Sequence, residues 1–129
     1  MAAPHFLIYQ SSAGSGKTYT LAKAYLGLAL RRPSYYKHIL AVTFTNKAMQ
    51  EMKNRIIQKL SEFRQGKFDT MAREIMDEIG IPGKEFQNRC GELLVRILHG
   101  YSHFAISTID SFFQKVIRGF AKELGLAGS

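Results

Sequence analysis

The 129-residue sequence contains one cysteine, Cys90, and no tryptophan. A single cysteine cannot form a disulfide within the chain, which excludes a small disulfide-stabilised fold and is typical of a reduced intracellular protein. The sequence also lacks an apolar run of the roughly 20 residues that a transmembrane helix needs, and it lacks the basic start of a secretory signal. We therefore expect a soluble, cytoplasmic protein with no membrane partner.

Acidic residues are absent from the first 50 positions, which hold six lysines and arginines. Over the whole chain 18 basic residues stand against 10 acidic ones, giving a net charge of +8. Hydrophobic residues make up 46% of the sequence, which is typical of a folded domain. The basic excess favours polyanions, such as nucleotide phosphates and nucleic acid, as ligands.

Short apolar runs alternate with stripes of helical period along the chain. We predict strands at 6–10, 38–44 and 104–109, and helices at 18–30 and 47–64, in two pieces within 68–100, and after residue 109. The last helix has an apolar stripe made of Phe113, Val116, Ile117, Phe120 and Leu124. This order predicts an α/β fold with a parallel sheet and flanking helices, and a three-stranded sheet of this kind looks incomplete.

The segment SAGSGKT lies between the first predicted strand and the first predicted helix. Its glycines allow backbone N–H groups to converge on phosphate oxygens at a helix N-terminus. Lys17 would contact the β- and γ-phosphates of ATP, the Thr18 hydroxyl would coordinate Mg²⁺, and both are candidate catalytic residues. Ser11 stands where the strict phosphate-loop pattern has glycine. The candidate nucleotide-binding residues are Ser12, Ala13, Gly14, Ser15, Gly16, Lys17 and Thr18.

Two further loops, at 43–47 and 107–111, are predicted at the same carboxyl edge of the sheet. Short hydroxyl and amide side chains beside helix N-termini can bind phosphodiester oxygens, and the Phe44 ring could stack on a base. The structural alternative is that Phe44 belongs to the core and that the polar residues only cap helices. Those polar residues are Thr45, Asn46, Thr108 and Ser111.

Two basic segments lie outside these loops. The segment 31–37 enters the amino end of the second strand, so we expect it at the opposite edge of the sheet as a solvated connection. Residues 47–67 hold six basic and two acidic residues, which would add long-range attraction for DNA.

Taken together, the three blocks resemble the start of a UvrD/RecB-like superfamily 1 DNA helicase. SSAGSGKT is similar to motif I, AVTFTNKAMQEMKNRI to motif Ia, and ISTIDSFFQKVIRGF to the DNA-contacting motif often written T-x-H-S-F. The resemblance spans nearly the whole chain and implies ATP and Mg²⁺ at the first block. It also implies that the other two blocks contact single-stranded DNA through Phe44, Thr45, Asn46, Thr108 and Ser111.

Departures from the family pattern indicate which branch of the helicase family this sequence resembles. Asp110 stands where many relatives have histidine, and the chain begins too close to the phosphate loop to hold the glutamine-containing adenine motif of the UvrD and Rep types. The helical stretch at 66–102 is longer than the link in those types and resembles the RecB and AddA arm. This favours a subunit of a recombination helicase with exonuclease activity.

The resemblance implies that 1–129 is the N-terminal part of a first RecA-like, P-loop NTPase domain with a helical insert at about 66–102. The acidic motif II, the glutamine of motif III and the arginines of a second RecA-like domain do not occur in it. We therefore expect a helicase that translocates on single-stranded DNA in repair or recombination, of which this fragment alone is inactive. The implied partners are single-stranded DNA, the remainder of the polypeptide and a RecC- or AddB-like subunit.

Two other classes of function stay open at this point. One is a complete small P-loop nucleotide kinase or NTPase that uses Asp110, the acidic residue after the third strand, as its metal ligand. The other is a DNA-binding module that keeps only the fold.

Overall fold

The computed structural model describes residues 5–8 and 16–125, with side chains from Thr18 onward. Short 3-10 helices at Pro33–His38 and Tyr101–His103 precede the second and third strands. The strands and α-helices are β1 (His5–Ile8), α1 (Gly16–Ala29), β2 (Ile39–Thr43), α2 (Asn46–Arg64), α3 (Thr70–Ile79), α4 (Gly83–His99), β3 (Ile106–Thr108) and α5 (Ile109–Glu123).

The three strands form a parallel sheet in the order β1-β2-β3, which confirms the predicted strand direction and the α/β class. The register sets Ile8 opposite Val42 and Thr43 opposite Thr108. The carboxyl ends of all three strands therefore meet at one edge.

Strands β2 and β3 are shorter than the sequence predicts. The 3-10 helix Pro33–His38 includes the residue at which we expected β2 to begin. In β3, the Ile106 N–H donates to the Phe104 carbonyl in a tight turn, 3.0 Å, and Thr108 already serves as the N-cap of α5. The first strand was expected at 6–10, of which residues 9 and 10 lie outside the described residues.

The core is centred on the packing of α2 against α4 and α1. Buried side chains recur along α2 at helical spacing, as predicted: Met52, Ile56, Leu60 and Phe63. The Phe63 ring lies 5.5 Å from that of Phe86 in α4, and the Tyr25 ring of α1 lies 5.7 Å from Phe104 before β3. These contacts pack α2 against α4, and α1 against the segment before β3.

The helical stretch between α2 and β3 consists of two helices, as predicted. The Asp69 carboxylate caps α3 by accepting from the Ala72 N–H at 2.9 Å, and it also accepts from Lys59 Nζ of α2 at 2.6 Å. Helix α3 ends at Gly80, whose φ of 77° is a left-handed conformation that glycine adopts without steric cost. The glycine cap thus ends α3 and divides the helical stretch at the turn that the sequence predicts.

The connection between α1 and β2 is part of the packed structure, and our expectation of a solvated connection at 31–37 was wrong. Pro33 and Tyr36 are buried there. The Tyr36 hydroxyl donates to the carbonyls of Arg96 and Gly100 at 3.0 and 3.1 Å, and a β-carbon at Gly100 would overlap that hydroxyl. Arg89 of α4 donates to the Leu30 carbonyl at 3.0 Å and so closes the end of α1.

Helix α5 forms as predicted, but its apolar stripe does not face the core. The main contacts of α5 within the described residues are with β2 and β3. Between 50 and 66% of each side chain in the stripe is exposed: Phe113, Val116, Ile117, Phe120 and Leu124. No helix in the described ranges is long and apolar enough to cross a bilayer. The stripe is therefore an uncovered apolar face.

Candidate nucleotide and nucleic-acid site

The loops after β2 and β3 lie side by side at the carboxyl edge of the sheet. Thr43, which is 2% exposed, connects them: its hydroxyl lies 3.3 Å from the Thr45 carbonyl and 3.5 Å from the Ser107 carbonyl. A hydroxyl has one proton to donate, so it can satisfy these acceptors in turn. The two blocks that the sequence places 64 residues apart are thus neighbours.

Both loops end in a helix cap made by a threonine. Thr45 has extended backbone and its Oγ1 accepts from the Ala48 N–H at 3.0 Å, while Thr108 Oγ1 accepts from the Ser111 N–H at 3.2 Å. These two threonines are therefore the N-caps of α2 and α5. Thr108 is only 6% exposed, so its side chain positions the loop more than it faces solvent.

The other side chains of this edge face outward. The Phe44 ring is 46% exposed, so the alternative that placed it in the core was wrong. Thr45, Asn46 and Ser111 are also exposed. A half-exposed aromatic ring beside small polar side chains is suited to contact the bases and phosphates of an unpaired strand.

The electrostatics of this edge favour anions. The first turns of α1 and α2 contain no acidic residue, and Lys47 lies exposed in the first turn of α2. Helix N-termini present unpaired N–H groups and the positive end of the helix dipole. Asp110, exposed in the first turn of α5, is the acidic exception.

The predicted nucleotide loop is described only at its end. Gly16 and Lys17 begin α1, and the Thr18 side chain is 5% exposed. The predictions for Ser12, Ala13, Gly14 and Ser15, and for the Lys17 side chain, lie outside the described residues. The structure shows that α1 is the next element after β1, which is the strand–loop–helix order that a phosphate loop requires.

Metal and thiol chemistry find little support in the described residues. Among them, no group of three His, Cys, Asp or Glu side chains could hold a metal ion, although His99 and His103 line one cavity. Burial raises the pKa of the Cys90 thiol to about 12, so this cysteine is a neutral core residue at physiological pH. Asp110 lies where its charge stabilises the start of α5.

A comparison with known protein families identifies the family of this chain. The family model described as the UvrD/REP helicase N-terminal domain matches residues 3–128. The chain belongs to this family. The resemblance that we inferred from the three sequence blocks is therefore confirmed.

The individual relatives of this UvrD/REP-type chain are helicase/nuclease subunits. It is 39% identical over 62 residues to the RecBCD enzyme subunit RecB of Haemophilus influenzae, and this match covers 43% of the chain and 5% of that protein. It is 34% identical over 116 residues to an ATP-dependent helicase/nuclease subunit of Bacillus cereus and to that of Bacillus anthracis, which covers 88% of the chain and 8% of those proteins. No solved structure matches the chain.

Sequence reasoning missed the residue that joins the loops after β2 and β3. From the sequence we placed Thr43 in both the second strand and the loop 43–47, and Ser107 in both the third strand and the loop 107–111, without predicting a contact between them. The available signal was the parallel pairing itself, because strands in register bring Thr43 and Thr108 opposite each other. The contact between the Thr43 hydroxyl and the Ser107 carbonyl depends on the tertiary structure and cannot be predicted from either segment alone.

Proposed function

We propose that the chain is the N-terminal part of a RecA-like, P-loop motor domain in an ATP-dependent DNA helicase/nuclease that moves along single-stranded DNA in repair or recombination. The carrying observation is the juxtaposition of the loops after β2 and β3, linked by Thr43 at the edge where α1 also begins. Parallel α/β sheets bind their ligands at this edge. Family membership and the ATP-dependent relatives support the same function.

ATP and Mg²⁺ would occupy the loop that ends at the start of α1. The backbone N–H groups of residues 12–16 and the N-terminus of α1 would hold the phosphates. Lys17 would offset the charge of the β- and γ-phosphates, and Thr18 would supply a hydroxyl ligand to the magnesium ion. Bound MgATP supplies the phosphoanhydride whose hydrolysis drives movement.

Single-stranded DNA would lie across the second and third blocks. Phe44 would stack on a base, and the exposed groups of Thr45, Asn46 and Ser111 would donate to phosphate or sugar oxygens. The Thr45 hydroxyl can do this while capping α2, because the cap uses its oxygen as an acceptor and leaves its proton free. Thr108 would act by holding the loop in place.

Turnover would need more polypeptide than this chain contains. The chain spans 5 to 8% of the length of the relatives named above. We propose that the remainder of the helicase supplies the acidic motif II and a second RecA-like domain, and that a RecC- or AddB-like subunit completes the enzyme. The exposed apolar face of α5 supports packing of further polypeptide on this domain. The isolated chain is then expected to bind its ligands without appreciable hydrolysis.

The small-kinase alternative gains no support from the described residues. Asp110 lies exposed at the start of α5 and belongs to no group of three metal-binding side chains there. A DNA-binding module without nucleotide chemistry differs from our proposal only in the phosphate loop. The two are distinguished by nucleotide binding.

Fluorescence anisotropy with a labelled oligo(dT) tests the DNA-binding part of the proposal. The double variant Asn46→Ala/Ser111→Ala should weaken binding by about 100-fold or more, because each of the two hydrogen bonds to a charged group contributes about 1.5 kcal/mol or more. The matched control, Asn88→Ala/Ser34→Ala, changes an exposed asparagine and an exposed serine away from this edge. Equal affinities for the two double variants would contradict the proposal.

A further inference from the structure

One side of α5 carries a row of cations. Ser111, Lys115, Arg118 and Lys122 follow one another at spacings of four, three and four, which places them on one side of the helix. All four are exposed. We call Lys115, Arg118 and Lys122 the basic stripe.

The basic stripe is separate from the apolar face of α5. At 100° per residue, the stripe and the apolar face point in roughly opposite directions, and the acidic residues Asp110 and Glu123 each lie about 110° away from the centre of the stripe. Within the described part of the chain, no carboxylate forms an ion pair with any stripe residue. The stripe therefore presents positive charge along about two turns of helix.

Helix α2 brings another cation to the same place. Burial lowers the pKa of Lys53, and the charge of Lys115 lowers it further. Lys53 Nζ lies 5.0 Å from the centroid of the Tyr101 ring, which is 42% exposed. A ring face stabilises a cation only modestly at an exposed site, so it does not replace a counterion.

Other lysines that reach between helices have carboxylate partners. Lys23 of α1 contacts Glu74 and Glu78 of α3 at 3.7 and 3.4 Å, and Lys59 of α2 contacts Asp69 at 2.6 Å. Neither Lys53 nor Lys115 has such a carboxylate partner in the described residues. An anion bound beside them would offset these unpaired positive charges.

We propose that the basic stripe, together with Lys53 and Tyr101, continues the path of a single DNA strand from the Phe44 edge down the side of α5. The inference rests on the proposed function and extends its DNA site. The stripe starts one turn after Ser111, and the distance from Ser111 to Lys122 is about 16 Å at 1.5 Å per residue, the length of several nucleotides. The lysines and Arg118 would contact successive phosphates, and the Tyr101 ring would offer a stacking face beside them.

A salt series of oligo(dT) binding tests this path. Removal of one phosphate contact should reduce the slope of log K against log salt by about 0.7 for a single strand. Lys115→Gln/Lys122→Gln should therefore lower the slope by about 1.4 and weaken binding several-fold at low salt. The control Lys37→Gln/Lys84→Gln removes two exposed lysines from other parts of the surface and should leave the slope unchanged.

The outcomes separate this inference from the function on which it rests. If Asn46→Ala/Ser111→Ala weakens binding but the stripe variant behaves as its control, the inference is wrong and the proposed function stands. If the unmodified chain does not bind oligo(dT), both are wrong. An amphipathic basic helix can also bind membranes, so a stripe variant that loses only its binding to phosphatidylserine vesicles, and not to oligo(dT), would overturn the inference as well.

Discussion

Replacing Phe44 with alanine should weaken single-strand binding and destabilise the fold by similar free energies, about 2 kcal/mol each. The ring is 46% exposed, so roughly half of it is packed. Complete burial makes a Phe→Ala change cost about 3–5 kcal/mol, and half of this is about 2 kcal/mol of folding stability. Loss of one stacked base costs about 1–3 kcal/mol, which corresponds to about a 5- to 150-fold rise in Kd.

Two measurements on the same variant separate these effects. Anisotropy of a labelled oligo(dT) gives the Kd, and urea unfolding gives the free energy of unfolding. Phe120→Ala is the matched control, because Phe120 is a phenylalanine that is 61% exposed on the apolar face of α5. It should leave the Kd nearly unchanged and, by the same scaling, cost slightly less folding stability than Phe44→Ala, about 1–2 kcal/mol.

The stacking role also makes a prediction about rescue. Phe44→Tyr keeps an aromatic face and should retain most of the affinity, whereas Phe44→Leu keeps apolar volume without a ring system and should not. Equal Kd values for the alanine and leucine variants and the unmodified chain would refute the reasoning. So would a loss of affinity in Phe120→Ala as large as that in Phe44→Ala.

Three further predictions concern the fold that holds the site. Burial raises the pKa of Asp69, but hydrogen bonds, chiefly from Lys59, outweigh it and leave this pKa below its ordinary value of 3.8. The stability that the Asp69 carboxylate gives to the fold is therefore complete above about pH 4 and is lost as pH falls through the lower folded-state pKa. The free energies of unfolding in urea at pH 5 and pH 3 should therefore differ less in Asp69→Asn than in the unmodified chain. Cys90, with a pKa of about 12 and no exposed surface, should react with a thiol reagent only at the rate of unfolding; rapid labelling of native protein would contradict its burial. Ile56→Ala, in the core, should cost about 2–5 kcal/mol in urea unfolding, whereas Ile117→Ala, at a side chain that is 66% exposed, should cost under about 1 kcal/mol.

Much of the fold was predictable because its determinants are local. The apolar period of α2 and the turn between α3 and α4 are visible in the sequence, and capping side chains such as Thr45 act within three residues of themselves. The three sequence blocks also carried the family resemblance without any structural information. What could be predicted from the sequence was therefore the type and order of the elements, and the edge at which the site residues meet.

The features that escaped prediction depend on contacts between distant segments. The burial of Tyr36 requires carbonyls that lie 60 or more residues away in sequence. The stripe that includes Ile117 has the period of a core-facing helix, yet period alone does not say whether a partner surface is present. Likewise, Phe44 is a residue type that is usually found in cores. Only the end of β2 at Thr43 shows that its ring lies at the carboxyl edge of the sheet.

Titration calorimetry with MgATP tests most directly whether this chain binds the phosphates of ATP at the start of α1. We expect weak but saturable binding by the unmodified chain. Lys17→Ala should abolish the binding, whereas Lys37→Ala, which changes an exposed lysine before β2, should retain it. Equal nucleotide affinity in Lys17→Ala and the unmodified chain, or no saturable binding by either, would contradict the account.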